Sequence, residues 1–378
     1  MYIRLPLYFH SNVYNITGTK RYFQKCMLDN FHYHLRHNPT YRRMVEYDCK
    51  RKGIKKLQHV QKLDQIPPLP TALFKQERLW TLPRYHMAVQ ASSSGTSGTR
   101  SQIGYDWGSL PLAAAMALGL GKHHQLFSKI PTRYLMLGYE PHRGNPAMIV
   151  KTQGITSLFA PPARHLYALR WKKGGYTLDL DGLVAGLQQY SKGKLPVRLI
   201  GFPSYLYFLL LELKKAGKTY KLPSGSMVLM GGGWKEFSGI KVEIEALFSL
   251  CQEVLGLKET QVREFFGAAE HPVFYCTCKN HHFHVPIYGR VIIRDVSTLN
   301  PLGYGKIGLL NLLSPLAKSM PLLSVMTDDL AILHPGKSCG CGIESPYFEI
   351  LGRAGLEEIM TCAATAGKLL SSPRAEST

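Results

Sequence analysis

Apolar positions follow two rhythms along this chain. Between Thr19 and Lys56, Tyr22, Phe23, Met27, Phe31, Tyr33 and Leu35 recur at helical spacing among basic residues, which predicts two helices with aromatic and basic faces. Ile66-Pro-Pro-Leu-Pro70 marks an extended lead-in to a short helical piece at Thr71–Lys75. His86–Ala91 reads as a short strand and Asp106–Leu118 as a capped helix. Further on, the apolar runs become short and continuous. Arg133–Gly138, Val197–Gly201 and Ser226–Met230 have the length and content of buried strands, and another strand runs to Phe266. Thr177–Tyr190, Pro203–Ala216 and Gly239–Leu255 read as helices, the first with Asp179 or Asp181 near its start. This alternation predicts an α/β fold of mostly parallel sheets flanked by helices. Beyond Pro286, short strands such as Arg290–Arg294 predict an antiparallel or barrel-like subregion. The expected organisation is a basic, aromatic helical segment over 1–60 packed on a core over 61–353, followed by a short tail over 354–378.

Composition narrows the class. A chain of 378 residues, 45% apolar and 19% charged, can bury a large core and is globular rather than disordered. It has no apolar run long enough to span a bilayer, and Met1–His10 lacks the charged start, apolar run and cleavage site of a secretory leader. The expectation is a cytoplasmic protein with no membrane span. A formal charge of +21 raises nucleic acid or an acidic surface as partners. Residues 1–60 hold twelve Lys and Arg against three Asp and Glu, but interleaved with aromatics at helical spacing. A solvated helix face with a docking role explains that better than a nucleic-acid arm. Eight cysteines without a leader are not a disulfide lattice, and four of them fall in two Cys-x-Cys pairs, a spacing that invites metal.

The chemistry concentrates first in Ser92–Ser101. Gly95 and Gly98 allow successive amides to turn toward one centre. Ser93, Ser94, Thr96, Ser97 and Thr99 add hydroxyl donors, and Arg100 adds a fixed positive fork. A strand before it and a helix after it make a phosphate cradle the better reading than a flexible linker. Three later strand ends carry further candidates. Gly231-Gly232-Gly233 offers bare backbone for a flat base, Phe265–Glu270 ends in an aromatic, a glycine and a carboxylate, and Met326–Leu330 places Asp328 and Asp329 in a turn.

The order of these elements, closed by Gly352-Arg353, resembles the motif series of the adenylate-forming (acyl-activating) enzymes. The resemblance implies the large N-terminal domain of that fold over 61–353, with ATP and Mg²⁺ as cofactors. Ser93 to Arg100, Gly231 to Gly233 and Phe266-Gly267-Ala268 would then cradle the nucleotide, with Phe266 on the adenine. Glu270 would be catalytic, holding Mg²⁺ with the phosphates. Asp329 would bond the ribose hydroxyls, and Arg353 would lie near the nucleotide. Asp328 replaces the usual middle glycine of Thr-Gly-Asp, and Ser101 stands where many relatives have lysine, which leaves Arg100 to supply the charge of the loop. Ile66–Lys75, Gly231–Lys235, Phe266–Pro272 and His282–Pro286 look like the Lux-type acyl-protein synthetases, the synthetase subunits of the fatty-acid reductase complex of bacterial bioluminescence. That branch implies a fatty acid substrate, an acyl-AMP route, and acyl reductase and acyl-transferase subunits as partners.

Only 25 residues follow Arg353, too few for the lid domain usual in acyl-CoA synthetases. In this branch the tail carries an acyl-accepting cysteine, a role that falls on Cys362. Cys276–His284 and Cys339-Gly-Cys341 offer soft ligands for tetrahedral zinc. Comparison with the zinc-bearing insertion of phenylacetate-CoA-ligase-like enzymes selects Cys278, His284, Cys339 and Cys341, with Cys276 and His282 as alternates. An acyl- or aryl-CoA ligase is a neighbouring reading. A basic zinc module that binds nucleic acid leaves the Ser/Thr/Gly loop and Glu270 unexplained.

Overall fold

The helical pair near the N-terminus is built as its periodicity requires. In the computed structural model, which describes residues 5–51, 53, 57, 60–92, 101–142, 159–232 and 244–354, a short α1 (Leu5–Tyr8) precedes α2 (Ile16–His37) and α3 (Pro39–Arg51). Asn15 caps α2 by accepting from Gly18 N, and Phe23, Met27, Phe31 and Leu35 form its buried stripe. Asn30 Nδ2 donates to Ala317 O at 2.9 Å, and the Arg290 guanidinium lies 4.1 Å from the Phe23 ring centre. The cations between these apolar positions, Lys20, Arg21, Lys25 and Arg36, are exposed.

The remaining elements, in chain order, are β1 (Leu69–Pro70), α4 (Leu73–Gln76), β2 (Met87–Ser92), β3 (Gln102–Asp106), α5 (Leu110–His123), β4 (Thr132–Tyr139), β5 (Pro162–Lys172) and β6 (Gly175–Leu178). They continue with α6 (Leu180–Ser191), β7 (Val197–Gly201), α7 (Pro203–Lys215), β8 (Met227–Gly231), α8 (Ile244–Leu255) and β9 (Val262–Ala268). The last strands are β10 (His271–Cys276), β11 (Phe283–His284), β12 (Arg290–Arg294), β13 (Pro301–Leu302), β14 (Ile307–Leu313), β15 (Ser324–His334) and β16 (Tyr347–Arg353). They fall into two compact units. One draws on Met1–Leu120, Ala268–Tyr275 and His282–Thr378, the other on Gly121–Gly267 and Cys276–His281.

The second unit is a parallel sheet in the order β9-β8-β7-β4-β5, with β6 added antiparallel to β5. Its strands are apolar at consecutive positions because both faces are covered. Leu135 and Leu137 point to a core with Leu183, Leu187, Leu206, Leu210 and Val254, while Tyr134 and Met136 point to another with Leu126, Phe159, Ile200 and Leu229. The first unit holds a mainly antiparallel sheet, β11-β16-β15-β14-β12-β13, with β1 added in parallel to β15. The α/β class with flanking helices and an antiparallel region is therefore the observed architecture.

Several local expectations are corrected. Asp328 and Asp329 lie in β15, not in a turn: the strand is laddered to β14 on one side and β16 on the other, with a register irregularity at Leu330/Ala331. Ser92 and Gln102 are opposed in a β2–β3 hairpin, so a strand follows the Ser/Thr/Gly loop rather than a helix. Gly104 lets β3 pack there, since a Cβ would lie 2.7 Å from Met87 Sδ. The helix expected from Thr177 begins at Leu180, because Thr177 and Leu178 complete β6 and Asp179 caps α6 through Gly182 N.

Candidate active site and metal centre

Glu270 occupies the turn between β9 and β10. Tyr105 Oη on β3 pins that turn by donating to Ala269 O at 2.7 Å. The carboxyl is 4% exposed, and burial pushes its pKa up. A hydrogen bond from Ser101, one from its own amide, and the charge of Lys75 pull it back down, while Asp328 pushes it up. Ser101 is completely buried at one edge of the loop. At the other edge Ser92 Oγ is buried with no hydrogen-bond partner among the described residues. A buried carboxylate, a lysine and an unsatisfied hydroxyl at the rim of a Ser/Thr/Gly loop fit a polyphosphate with a hard cation.

Lys75 was not among the residues singled out from the sequence. Its placement depends on a two-residue strand. Leu69 and Pro70 pair with Val325 and Met326, and Thr71 N donates to Met326 O at 3.0 Å. Thr71 Oγ1 then donates to Asp328 Oδ1 at 3.2 Å, and α4 buries Leu73 and Phe74, which leaves Lys75 in electrostatic reach of Glu270. The signal in the sequence was Ile66–Lys75 itself, but its partners lie at the far end of the chain.

Asp329 faces Arg353 across the β15–β16 ladder, with Nε and Oδ1 4.0 Å apart. Burial raises its pKa, while a hydrogen bond with Thr327 and the charge of Arg353 lower it and Asp328 raises it. Arg353 is 72% exposed, so the pair presents an acceptor and an open cation side by side. The first unit thus joins Glu270, Asp328, Asp329 and Arg353 into one polar row, with Ala268 just before it. In the second unit, Gly231, Gly232, Phe266 and Gly267 lie at the carboxyl ends of β8 and β9, where open parallel sheets bind ligands. Gly231 opposes Phe265, whose carbonyl oxygen would lie 3.1 Å from an added Cβ. Ser93 to Arg100, Gly233 and Cys362 lie outside the described residues.

Glu264, on β9, was also missed. Burial pushes its carboxyl up to about 7 from 4.5. Between those values the folded chain holds a proton that the unfolded chain has released, so stability falls as pH rises from about 4.5 to about 7. Glu264→Gln is expected to flatten that slope and to add about 1–2 kcal/mol at pH 8. Denaturant titrations at pH 5 and pH 8 check it, and an unchanged pH dependence would refute it.

The Cys/His cluster is built from two turns. Cys278, His284, Cys339 and Cys341 bring their ligand atoms all within 4.8 Å of one another. Asn280 N donates to Cys278 Sγ and Ile343 N to Cys341 Sγ, each at 3.4 Å. Left-handed Gly340 and Gly342, at φ +72° and +95°, flank Cys341 and permit that knuckle. His284 Nδ1 donates to Ser345 O at 2.7 Å, which leaves Nε2 as the lone-pair nitrogen, 3.2 Å from Cys341 Sγ. Three sulfurs, two of them with aimed amides, and one oriented imidazole fit tetrahedral zinc. The alternates are placed differently. Cys276 ends β10 inside an apolar core, where burial pushes its thiol up, and His282 Nδ1 faces Cys339 Sγ at 3.2 Å.

Comparison with solved structures defines the class: the chain has the fold of an adenylate-forming ligase. It is similar to a 2-hydroxyisobutyryl-CoA ligase solved in an open conformation with 2-HIB-AMP and CoA, at TM-score 0.65 and 14% identity over 91% of this chain and 76% of that one. The thioesterification-state structure of the same ligase gives TM-score 0.64 and 15% identity over 91% and 70%. Within that class the chain belongs to the LuxE acyl-protein synthetase family, whose model matches residues 9–370. Similar relatives are long-chain-fatty-acid–luciferin-component ligases of Vibrio harveyi, 25% identical over 85% of this chain and 82% of the relative, and of Aliivibrio fischeri, 25% identical over 82% and 78%. The chain is accordingly a ligase of acyl-activating type. Among the described residues no helix is long and apolar enough to cross a membrane.

Proposed function

We propose that this ligase joins a long-chain fatty acid to AMP and then passes the acyl group to Cys362 as a thioester, for delivery to an acyl reductase. The observation that carries the reading is the buried Glu270, held by Ser101 and Lys75 beside the Ser/Thr/Gly loop in a chain of this family. A carboxylate oxygen of the acid attacks the α-phosphorus of ATP, forming the acyl–phosphate bond as the bond to pyrophosphate breaks. Two anions must meet for this, so the barrier is chiefly electrostatic. Lys75, Arg100 and the donors of residues 93–101 offset the charge on the phosphate oxygens. Mg²⁺, with Glu270 as ligand, would supply further neutralisation and orientation of the leaving group. Phe266 stacks on adenine, and Asp329 accepts from the ribose hydroxyls. In the second step the Cys362 thiolate attacks the acyl carbonyl and AMP leaves.

Carboxylate-dependent exchange of pyrophosphate into ATP tests the first step. Exchange that ignores added fatty acid would overturn it. Cys362→Ser is expected to leave exchange within about twofold and to abolish the labelled acyl-protein, because only the second step uses the thiol. Persistent label on another thiol, or release of acyl-CoA when CoA is added, would refute the assignment.

The cluster of Cys278, His284, Cys339 and Cys341 is proposed to hold a structural zinc. All four positions are filled by protein, which leaves no open site for chemistry. Elemental analysis of purified protein tests it.

A further inference from the structure

Three nitrogens that are not ligands address the three sulfurs of the Cys/His cluster. Two are the amides of Asn280 and Ile343, fixed by the backbone. The third belongs to a side chain, His282, whose Nδ1 lies 3.2 Å from Cys339 Sγ. The imidazole plane is set from the opposite side. His282 stacks on Tyr347 with ring centres 4.3 Å apart and 26° between planes. Tyr347 is itself held in register between His284 on β11 and His334 on β15, and it stacks on the His334 ring at 4.9 Å. Glu349, two residues along β16, places Oε1 3.3 Å from His334 Nε2 and 3.7 Å from His282 Nε2. The plane of the ring therefore follows from stacking and strand register, and needs no bond to a metal.

We propose that His282 is a positioning residue of the metal centre: its Nδ1–H holds Cys339 Sγ in its ligating direction and draws charge from it without ligating. The inference rests on the metal reading above. A metal-bound cysteine is a thiolate with no proton to give, so in this contact the imidazole must be the donor. Hydrogen bonds of this outer kind set ligand orientation and basicity, and their loss weakens metal affinity by about 10–100-fold. Of these three contacts only the one from His282 can be removed by changing a side chain.

The test uses the full chain. Zinc content, the rate of zinc release to a chromophoric chelator, and the thiolate-to-cobalt absorption of the Co(II)-substituted protein are compared across variants. His282→Phe keeps the stacking surface and is expected to retain wild-type zinc content, release zinc about 10–100-fold faster, and shift the cobalt band. His282→Asn, whose amide N–H falls near the position of Nδ1–H, is expected to restore slow release. Loss of zinc in His282→Phe would make His282 a ligand and overturn the proposal. Unchanged release and absorption, or failure of the Asn variant to restore them, would overturn it in favour of packing alone. Absence of zinc from the wild-type protein would instead overturn the metal reading itself.

Discussion

Glu270→Gln is expected to slow fatty-acid-dependent pyrophosphate exchange by roughly 10²–10³-fold while leaving the chain folded and somewhat more stable. Glutamine keeps the shape and can still meet Ser101, but it carries no charge to bind a hard cation. Burial already disfavours the charged form of Glu270, so a neutral isostere removes a desolvation penalty that the native residue bears. The sign of the stability change separates a site residue from a structural one, because a residue retained for folding would be missed when removed. Exchange assays and thermal melts on the same preparation measure both effects. Exchange within twofold of wild type would remove Glu270 from the mechanism.

Cys341→Ser is expected to abolish zinc binding and lower the melting temperature by on the order of 10 °C. Cys341 Sγ is 3.2 Å from His284 Nε2, and His284 is half of the two-residue strand β11, so a metal shared by the two would tie the end of that short strand to the Cys339–Cys341 turn. Losing one of four ligands leaves the others competing with protons and water, and the residual affinity is small. Calorimetry with and without a strong chelator distinguishes the loss of metal from the loss of a side chain. If wild type plus chelator melts as the untreated protein does, the cluster contributes nothing to stability.

How much could be read in advance depended on whether a segment's partners are local. The stripe Phe23, Met27, Phe31 was legible because helical spacing is set within the segment itself. β4, β7 and β8 were legible because both faces are buried, which forces continuous apolar runs. β3 was not, since its five residues include only Ile103 and Tyr105 as large apolar groups. β5 was hidden by Arg164, Arg170 and Lys172, which an outlying strand bordered by β6 can expose. Asp328 and Asp329 read as a turn because their strand character is conferred by β14 and β16, not by their own propensity. The site followed the same rule. Glu270, Asp329 and Arg353 stood in recognisable motifs, whereas Lys75 becomes meaningful only once β1 is laid beside β15. For the metal ligands, Cys-x5-His spacing fits two registers, and only the end of β10 separates Cys276 from Cys278.

The chain order of the two units also bears on biosynthesis. Residues 121–267 emerge from the ribosome as an uninterrupted stretch whose parallel strands already have their neighbours. The first unit has no such luxury: β1 must wait for β15, and the Thr71–Asp328 contact spans 257 residues of chain. Through most of translation α2 is therefore without its partners Arg290 and Ala317, and the polar row of Glu270, Asp328, Asp329 and Arg353 is assembled last. Such a nascent chain keeps apolar surface exposed until its final strands have been made, and a chain cut short before β15 would carry the strands of the parallel sheet without Asp328, Asp329 and Arg353.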